Sequence, residues 1–211
     1  NARLAWQVAV EAPGVPLPWN AAGKAVTLPL GIPLTESNLG ETPDLGRGSD
    51  QMPRWQQRQN IVLYAGRLAD CKGLNELIEA SQNPAWPADL QLAIAGDGPW
   101  REELTEKLAD LANVKMLGWL SGPELQGWMR RSRFVVLPSE AEGLPNALME
   151  GMANGAIPVA TPVGGIPHLT DDFRCGQLIK QTSASAVLDA ILEVYQRSDL
   201  EALSAACRQN I

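Results

Sequence analysis

The chain has 211 residues and a net charge of −7, with 45% hydrophobic and 19% charged residues and a pI near 4.8. A chain of this size and composition folds around one sizeable α/β core, with room for an extra arm. Its acidic balance excludes nucleic acid as a partner, since phosphate neutralisation needs a basic face, and no apolar run approaches the roughly 18–20 residues of a membrane span.

Residues 1–60 are rich in proline and glycine. A short strand is predicted at Ala25-Val26-Thr27-Leu28, followed by a turn at Pro29-Leu30-Gly31. Residues 1–10 read as a strand or a helix remnant, and 36–58 is polar without periodicity, the pattern of a linker or surface loop. From Asn60 onward, apolar runs bounded by glycine or proline alternate with helical periodicity. Ile61–Ala65 is predicted as a buried strand, and Leu74, Leu77 and Ile78 as one face of the next helix. A strand at Leu90–Ala95 precedes a helix carrying Trp100, Leu104, Leu108 and Leu111. A strand at Val114–Leu117 precedes a short helix with Leu125, Trp128 and Met129. The strand Phe134–Leu137, a helix over 145–154 opened by Pro145, and the strand Ile157–Ala160 follow. A short strand near Gln177–Ile179, a helix through Val187, Leu188, Ile191, Leu192 and Tyr195, and a last helix from about 199 complete the series. Strands and helices in this alternation imply a doubly wound, Rossmann-like parallel sheet of about six strands, with helices on both faces.

Ligands of such folds bind at the carboxyl ends of the strands, so the polar residues there are the candidates for chemistry. After the first strand come Gly66, Arg67 and Lys72, with Gly73 opening the helix. Two cations beside a helix N-terminus suit a diphosphate, Arg as a fork and Lys as a point charge; they read equally as solvated loop charges. Asp97, between Gly96 and Gly98, is read as a turn and helix-capping residue in preference to a metal ligand or a base. Ser121 is placed to cap the following helix, and the backbone at Trp119 and Leu120 to meet the edge of an aromatic base.

The strand 134–137 runs into Glu142-Gly143-Leu144-Pro145-Asn146-Ala147-Leu148-Met149-Glu150, two carboxylates with a glycine, a proline and an asparagine between them. This arrangement is expected to direct both acids and a set of free backbone N–H groups at one spot. The competing reading, acids placed for the helix dipole, fits Glu150 poorly because it lies beyond the first turn. Gly164 and Gly165 either let backbone amides approach a ligand or only make a turn. The single histidine, His168, reads as a surface residue, and one histidine leaves no basis for a histidine zinc site or a Ser-His-Asp triad. Cys71, Cys175 and Cys207 are odd in number and form neither a metal spacing nor a disulfide framework. They are expected to be reduced thiols of a cytoplasmic protein. Tryptophan outnumbers the other aromatics, with no pattern that assigns it a role.

Taken in order, Gly66-Arg67…Lys72-Gly73, Gly96-Asp97-Gly98-Pro99, Leu117-Gly118, Pro138-Ser139, Glu142 through Glu150, Gly155 and Gly164-Gly165 resemble the donor-binding, C-terminal domain of retaining GT-B glycosyltransferases of the group 1 type, over about residues 60–195. The resemblance implies that residues 60–211 bind a UDP-, GDP- or ADP-sugar. Residues 1–59 would be a remnant of the preceding domain with an interdomain strand and polar linker. It implies that Arg67 and Lys72 hold the donor diphosphate and stabilise the departing nucleotide without a metal ion or other cofactor. Glu150, second acid of the E-x7-E motif, would bind the ribose, and Glu142, the first, would stand beside the transferred sugar. Gly66 and the backbone of Gly143, Leu144, Asn146 and Ala147 would contact sugar hydroxyls and phosphate, and the backbone of Leu120 the base. Pro145 stands where glycine is frequent, and His168 where an acid is common. The resemblance further implies an N-terminal acceptor-binding domain, and a cytoplasmic enzyme that can associate peripherally with the inner face of the membrane. The acceptor would be a saccharide, a lipid or a small molecule. The rival readings are a non-catalytic interaction module on the same half fold, a sugar-nucleotide epimerase, or a phosphorylase. The epimerase would want more acid and histidine residues, and the phosphorylase a cofactor lysine in a context this sequence lacks.

Overall fold

A computed structural model describes residues 53–211. The strand at 25–28, the turn at 29–31, residues 1–10 and the polar stretch up to residue 52 lie outside the described residues. Six strands, β1 (Gln59–Ala65), β2 (Gln91–Ala95), β3 (Val114–Gly118), β4 (Ser132–Leu137), β5 (Ile157–Ala160) and β6 (Gln177–Leu178), form one sheet in the order β3-β2-β1-β4-β5-β6. All neighbours pair in parallel. The connecting helices are α1 (Leu74–Ser81), α2 (Arg101–Leu108), α3 (Gly122–Arg131), α4 (Asn146–Ala153), α5 (Ile166–Leu169), α6 (Ala184–Tyr195) and α7 (Leu200–Gln209). This is the doubly wound, Rossmann-like arrangement, and the strand order reverses between β1 and β4, which places the ligand crevice there.

Strand periodicity divides the core. In β1 the side chains of Val62 and Tyr64 enter one apolar cluster with Leu77, Ile78, Leu92 and Ile94. Ile61, Leu63 and Ala65 point to the opposite face, where Ala93, Ala95 and Met129 meet Leu125 and Trp128 of α3. Both faces are therefore covered, as an all-parallel sheet requires. The register pairs Ile61 with Gln91 and Ala65 with Ala95, so β1 and β2 end level and their loops emerge side by side.

Some boundaries differ from the sequence reading. β1 starts at Gln59 and β4 at Ser132, because the polar first residues of each still pair with the neighbouring strand. Trp100 is the N-cap of α2 and Leu111 lies beyond its end. Pro145 is the N-cap of α4, not its first helical residue: its backbone is extended, and its carbonyl accepts the amides of Leu148 and Met149. The four residues of α5 replace what reads as plain loop.

Of the polar stretch before β1, residues 55–57 form a 3-10 turn, and Trp55 packs edge-on to Phe134 at 6.5 Å between ring centres. Arg58 is buried. Its guanidinium donates to the carbonyls of Met129 (3.3 Å), Ser132 (2.8 Å) and Asn154, the last two being the C-cap residues of α3 and α4. One cation thus occupies the negative ends of two helices. Burial, and then the charge of Arg208, pull its pKa down to about 10.

Candidate functional site

The loops after β1, β2 and β3 are tied to one another by the backbone. Gly66 donates to Ala95 (3.0 Å), Leu68 to Asp97 (2.9 Å) and Gly96 to Gly118 (2.7 Å). Above them opens a cleft of about 440 Å3. Of the candidate residues, it gathers Gly66, Arg67, Leu120, Asn146, Ala147 and Glu150. Arg67 arrives from β1, Leu120 from β3 and the other three side chains from the first turns of α4, so strand order alone brings together residues distant in sequence. Arg67 and Glu150 are both exposed. The Arg67 guanidinium forms no ion pair among the described residues.

Glu142 does not line this cleft with Glu150. Its Oε1 accepts from Lys72 Nζ at 2.8 Å and from Ser139 Oγ at 2.7 Å, and the Lys72 and Glu142 side chains are 22% and 11% exposed. Of the two acids of the motif, Glu150 lines the cleft and Glu142 is engaged by Lys72 and Ser139. Lys72 is held by a carboxylate rather than standing free beside Arg67. Gly143 and Leu144 belong to the loop that carries Glu142. Gly165 donates to the Gly143 carbonyl (2.8 Å), and Gly164, at φ +57°, lies so close to the Glu142 and Gly143 carbonyls that a Cβ would collide with them. The two glycines thus serve to pack the β5–α5 loop onto the Glu142 loop.

Gly73 is the N-cap of α1 at φ +66°, and a Cβ there would run into the Pro138 carbonyl. Glycine is what lets the Lys72 loop approach the loop after β4. The amide of Glu140 also donates to the Cys71 carbonyl at 2.9 Å. Beneath them Tyr64, fully buried, donates its hydroxyl to the Arg67 carbonyl at 2.9 Å. Burial, then Glu142 and Cys71, hold the Tyr64 phenol well above its ordinary pKa.

Asp97 accepts from the Gly98 amide (2.8 Å) and from Arg101 (3.1 Å). It is a turn residue on the cleft wall, with the cap position of α2 falling to Trp100. Ser121 is the N-cap of α3, and its amide and hydroxyl both donate to the Glu124 carboxylate (2.9 and 2.7 Å). His168 is exposed on α5. All three cysteines are free, Cys71 exposed and Cys175 and Cys207 buried.

Sequence reasoning passed over Ser139 and Tyr64 as site residues. Ser139 had a signal, three residues before Glu142; Tyr64 had only its polar tip at the end of an apolar run. Among the described residues, no group of three or more His, Cys, Asp and Glu side chains is arranged to hold a metal ion. No helix among them is long and apolar enough to cross a membrane.

Residues 59–197 match the family described as Glycosyl transferases group 1. The chain is 33% identical over 145 residues to α-D-kanosaminyltransferase of Streptomyces kanamyceticus, an alignment covering 66% of this chain and 37% of that protein. The chain spans about two fifths of the length of the curated relatives it matches. Among solved structures, it is similar to the C-terminal domain of LpcC, a glycosyl transferase group 1 family protein of Francisella tularensis. That likeness has a TM-score of 0.63 at 23% identity, covering 76% of this chain and 91% of the other. It is also similar to HepE of Anabaena, solved in complex with UDP-glucose, with a TM-score of 0.63 at 21% identity over 72% of this chain and 43% of that one. These structural likenesses extend the fold to the C-terminal half of GT-B proteins, and the matched residues span every strand and the cleft: the chain belongs to the group 1 glycosyl transferases.

Proposed function

We propose that this chain is the nucleotide-sugar donor-binding part of a retaining, metal-independent glycosyltransferase. The whole enzyme would pass a sugar to a saccharide, lipid or small-molecule acceptor. The observation that carries this reading is Arg67, without an ion-pair partner among the described residues, lining the same cleft as Glu150 in a group 1 chain. Arg67 suits a phosphate and Glu150 a diol. HepE, solved with UDP-glucose, supports a UDP-sugar, and GDP- and ADP-sugars have the same diphosphate and ribose.

In this reading Arg67 grips the diphosphate as a fork. Lys72 is shared: it pairs with Glu142 in the free protein and turns its charge to the β-phosphate when the donor arrives. Both cations then stabilise the departing nucleotide, a part a divalent ion would otherwise play. Glu142, anchored by Ser139, stands beside the transferred sugar, and Glu150 holds the ribose hydroxyls. Gly66, Gly143, Leu144, Asn146 and Ala147 offer backbone to phosphate and sugar, and Leu120 to the base. An N-terminal domain binds the acceptor, and the enzyme works in the cytoplasm, at the inner face of the membrane where its acceptor is a lipid.

Isothermal titration of the chain with UDP, GDP and ADP tests this. At least one should bind, and Arg67→Ala should weaken that nucleotide far more than its nucleoside. A chain with intact circular dichroism that binds none of the three overturns the reading, as does equal loss for nucleotide and nucleoside.

A further inference from the structure

Tyr64 stands one residue before the end of β1 and is fully buried. A tyrosine at that depth needs a partner for its hydroxyl, and the hydroxyl donates to the carbonyl of Arg67 at 2.9 Å. The phenol reaches that carbonyl by passing beneath Gly66. A Cβ on Gly66 would lie 3.2 Å from the hydroxyl oxygen, so the absence of a side chain there leaves room for the bond. Tyr64 itself does not line the cleft, whereas Gly66 and Arg67 do.

The neighbouring bonds show what this one controls. The Leu68 amide donates to the Asp97 carbonyl at 2.9 Å, and the Leu68 carbonyl accepts from the Trp100 amide at 3.2 Å. The Arg67 carbonyl and the Leu68 amide are the two ends of one planar peptide unit. One end is fixed by backbone on the β2 loop, the other by the Tyr64 side chain. Together they set the angle at which Arg67 leaves the chain. The Arg67 guanidinium has no ion pair among the described residues, so its aim comes from the backbone. Burial, then Glu142 and Cys71, keep the phenol protonated, and the hydroxyl remains a donor.

We infer that Tyr64 is a positioning residue for Arg67: from behind the cleft wall, it fixes the peptide unit that aims the guanidinium at the donor diphosphate. The inference rests on the donor-binding reading above and adds to it a residue that acts only through Arg67. Phenylalanine at 64 would fill the same space without the hydroxyl. The Arg67 carbonyl could then tilt, and the ordering that Tyr64 supplies in advance would have to be met on binding, which lowers affinity.

The test uses the whole chain with Tyr64→Phe, checked for the circular dichroism of the parent. UDP, GDP, ADP and inorganic pyrophosphate are titrated by calorimetry. Ser204→Ala is the control: it too removes a buried hydroxyl bonded to a carbonyl, that of Gly155 at 2.7 Å, at the other end of the strands. Tyr64→Phe should weaken pyrophosphate and every nucleoside diphosphate that the parent binds by one common factor, about fivefold. Ser204→Ala should leave all of them unchanged. In an Arg67→Lys background the fork is gone while a charge remains, and there Tyr64→Phe should add less than about twofold. If the parent binds nucleotides and Tyr64→Phe binds them equally well, the positioning role is overturned while the donor site stands. An equal loss in Ser204→Ala, or an undiminished loss beside Arg67→Lys, overturns it too. If the parent binds no nucleotide, the donor-binding reading fails and this inference falls with it.

Discussion

Replacing Lys72 by Met removes a cation 2.8 Å from the Glu142 carboxylate and leaves that acid, 11% exposed, with Ser139 as its remaining partner. Coulomb attraction at that distance is about 6 kcal/mol for an effective dielectric near 20, most of it offset by desolvation of the two groups. Exposed pairs measure about 0.2–1 kcal/mol and broken buried pairs about 3–5 kcal/mol. With side chains 22% and 11% exposed, the Lys72→Met loss should fall between these ranges, about 2 kcal/mol. Glu142→Gln keeps an oxygen for Ser139 and should cost less, about 1 kcal/mol. In the double variant no charge is stranded, so its loss should be smaller than the sum of the singles by about 1–2 kcal/mol. Urea unfolding followed by circular dichroism measures all three. Losses that add to within about 0.5 kcal/mol would mean the two groups do not interact in solution. The same geometry fixes a sign for binding: Glu142→Gln releases Lys72 and should tighten pyrophosphate. Weaker pyrophosphate binding would show that the carboxylate positions the ammonium instead of competing for it.

Two further consequences concern the frame. Arg58→Met strands the terminal carbonyls of α3 and α4 and should cost about 3 kcal/mol or more, a drop of about 10 °C in melting temperature; Arg58→Lys should recover only part, because an ammonium cannot fork. A change of under about 0.5 kcal/mol in Arg58→Met would refute the capping role. At alkaline pH two tyrosines and one cysteine set the sign. Burial, then Glu142, raise the Tyr64 phenol; the bond to Asp89, then burial, raise Tyr195; burial, then Cys175, push the Cys207 thiol up to about 12. Each folded pKa lies above its unfolded value, so the associated stability is complete below about pH 8.5 and declines above it, more steeply past about pH 10. The phenolate absorbance at 295 nm that belongs to buried Tyr64 should therefore rise together with loss of far-ultraviolet circular dichroism, and both tyrosines ionising near pH 10 in the folded chain would contradict it.

The sheet was legible because its strands are short apolar runs with glycine or proline at their ends, and their alternation with helical periodicity leaves few topologies open. Strand starts were not, since Gln59 and Ser132 look like loop residues and are held by pairing that only the folded sheet supplies. The helix α5 was missed for a related reason: four residues with a proline among them show no period. Arg58 reads as one more polar residue in a polar stretch. Its burial depends on carbonyls 71, 74 and 96 residues away, which no local pattern can announce.

At the site the same division holds between what strand order decides and what side chains decide. Arg67, Leu120, Asn146 and Glu150 meet in one cleft because each follows a strand or opens a helix at the same edge of the sheet. Spacing of Glu142 and Glu150 along one segment says nothing of the kind. The first acid lies in the loop before the α4 cap and the second inside the helix, and the loop acid has turned to a lysine 70 residues upstream. That turn rests on Gly73 and Gly164. A side chain at either would collide with the opposing backbone and force apart the loops that carry Lys72 and Glu142. The Lys72–Glu142 pair therefore depends on two glycines outside the acidic motif, which a reading confined to the two carboxylates does not reach.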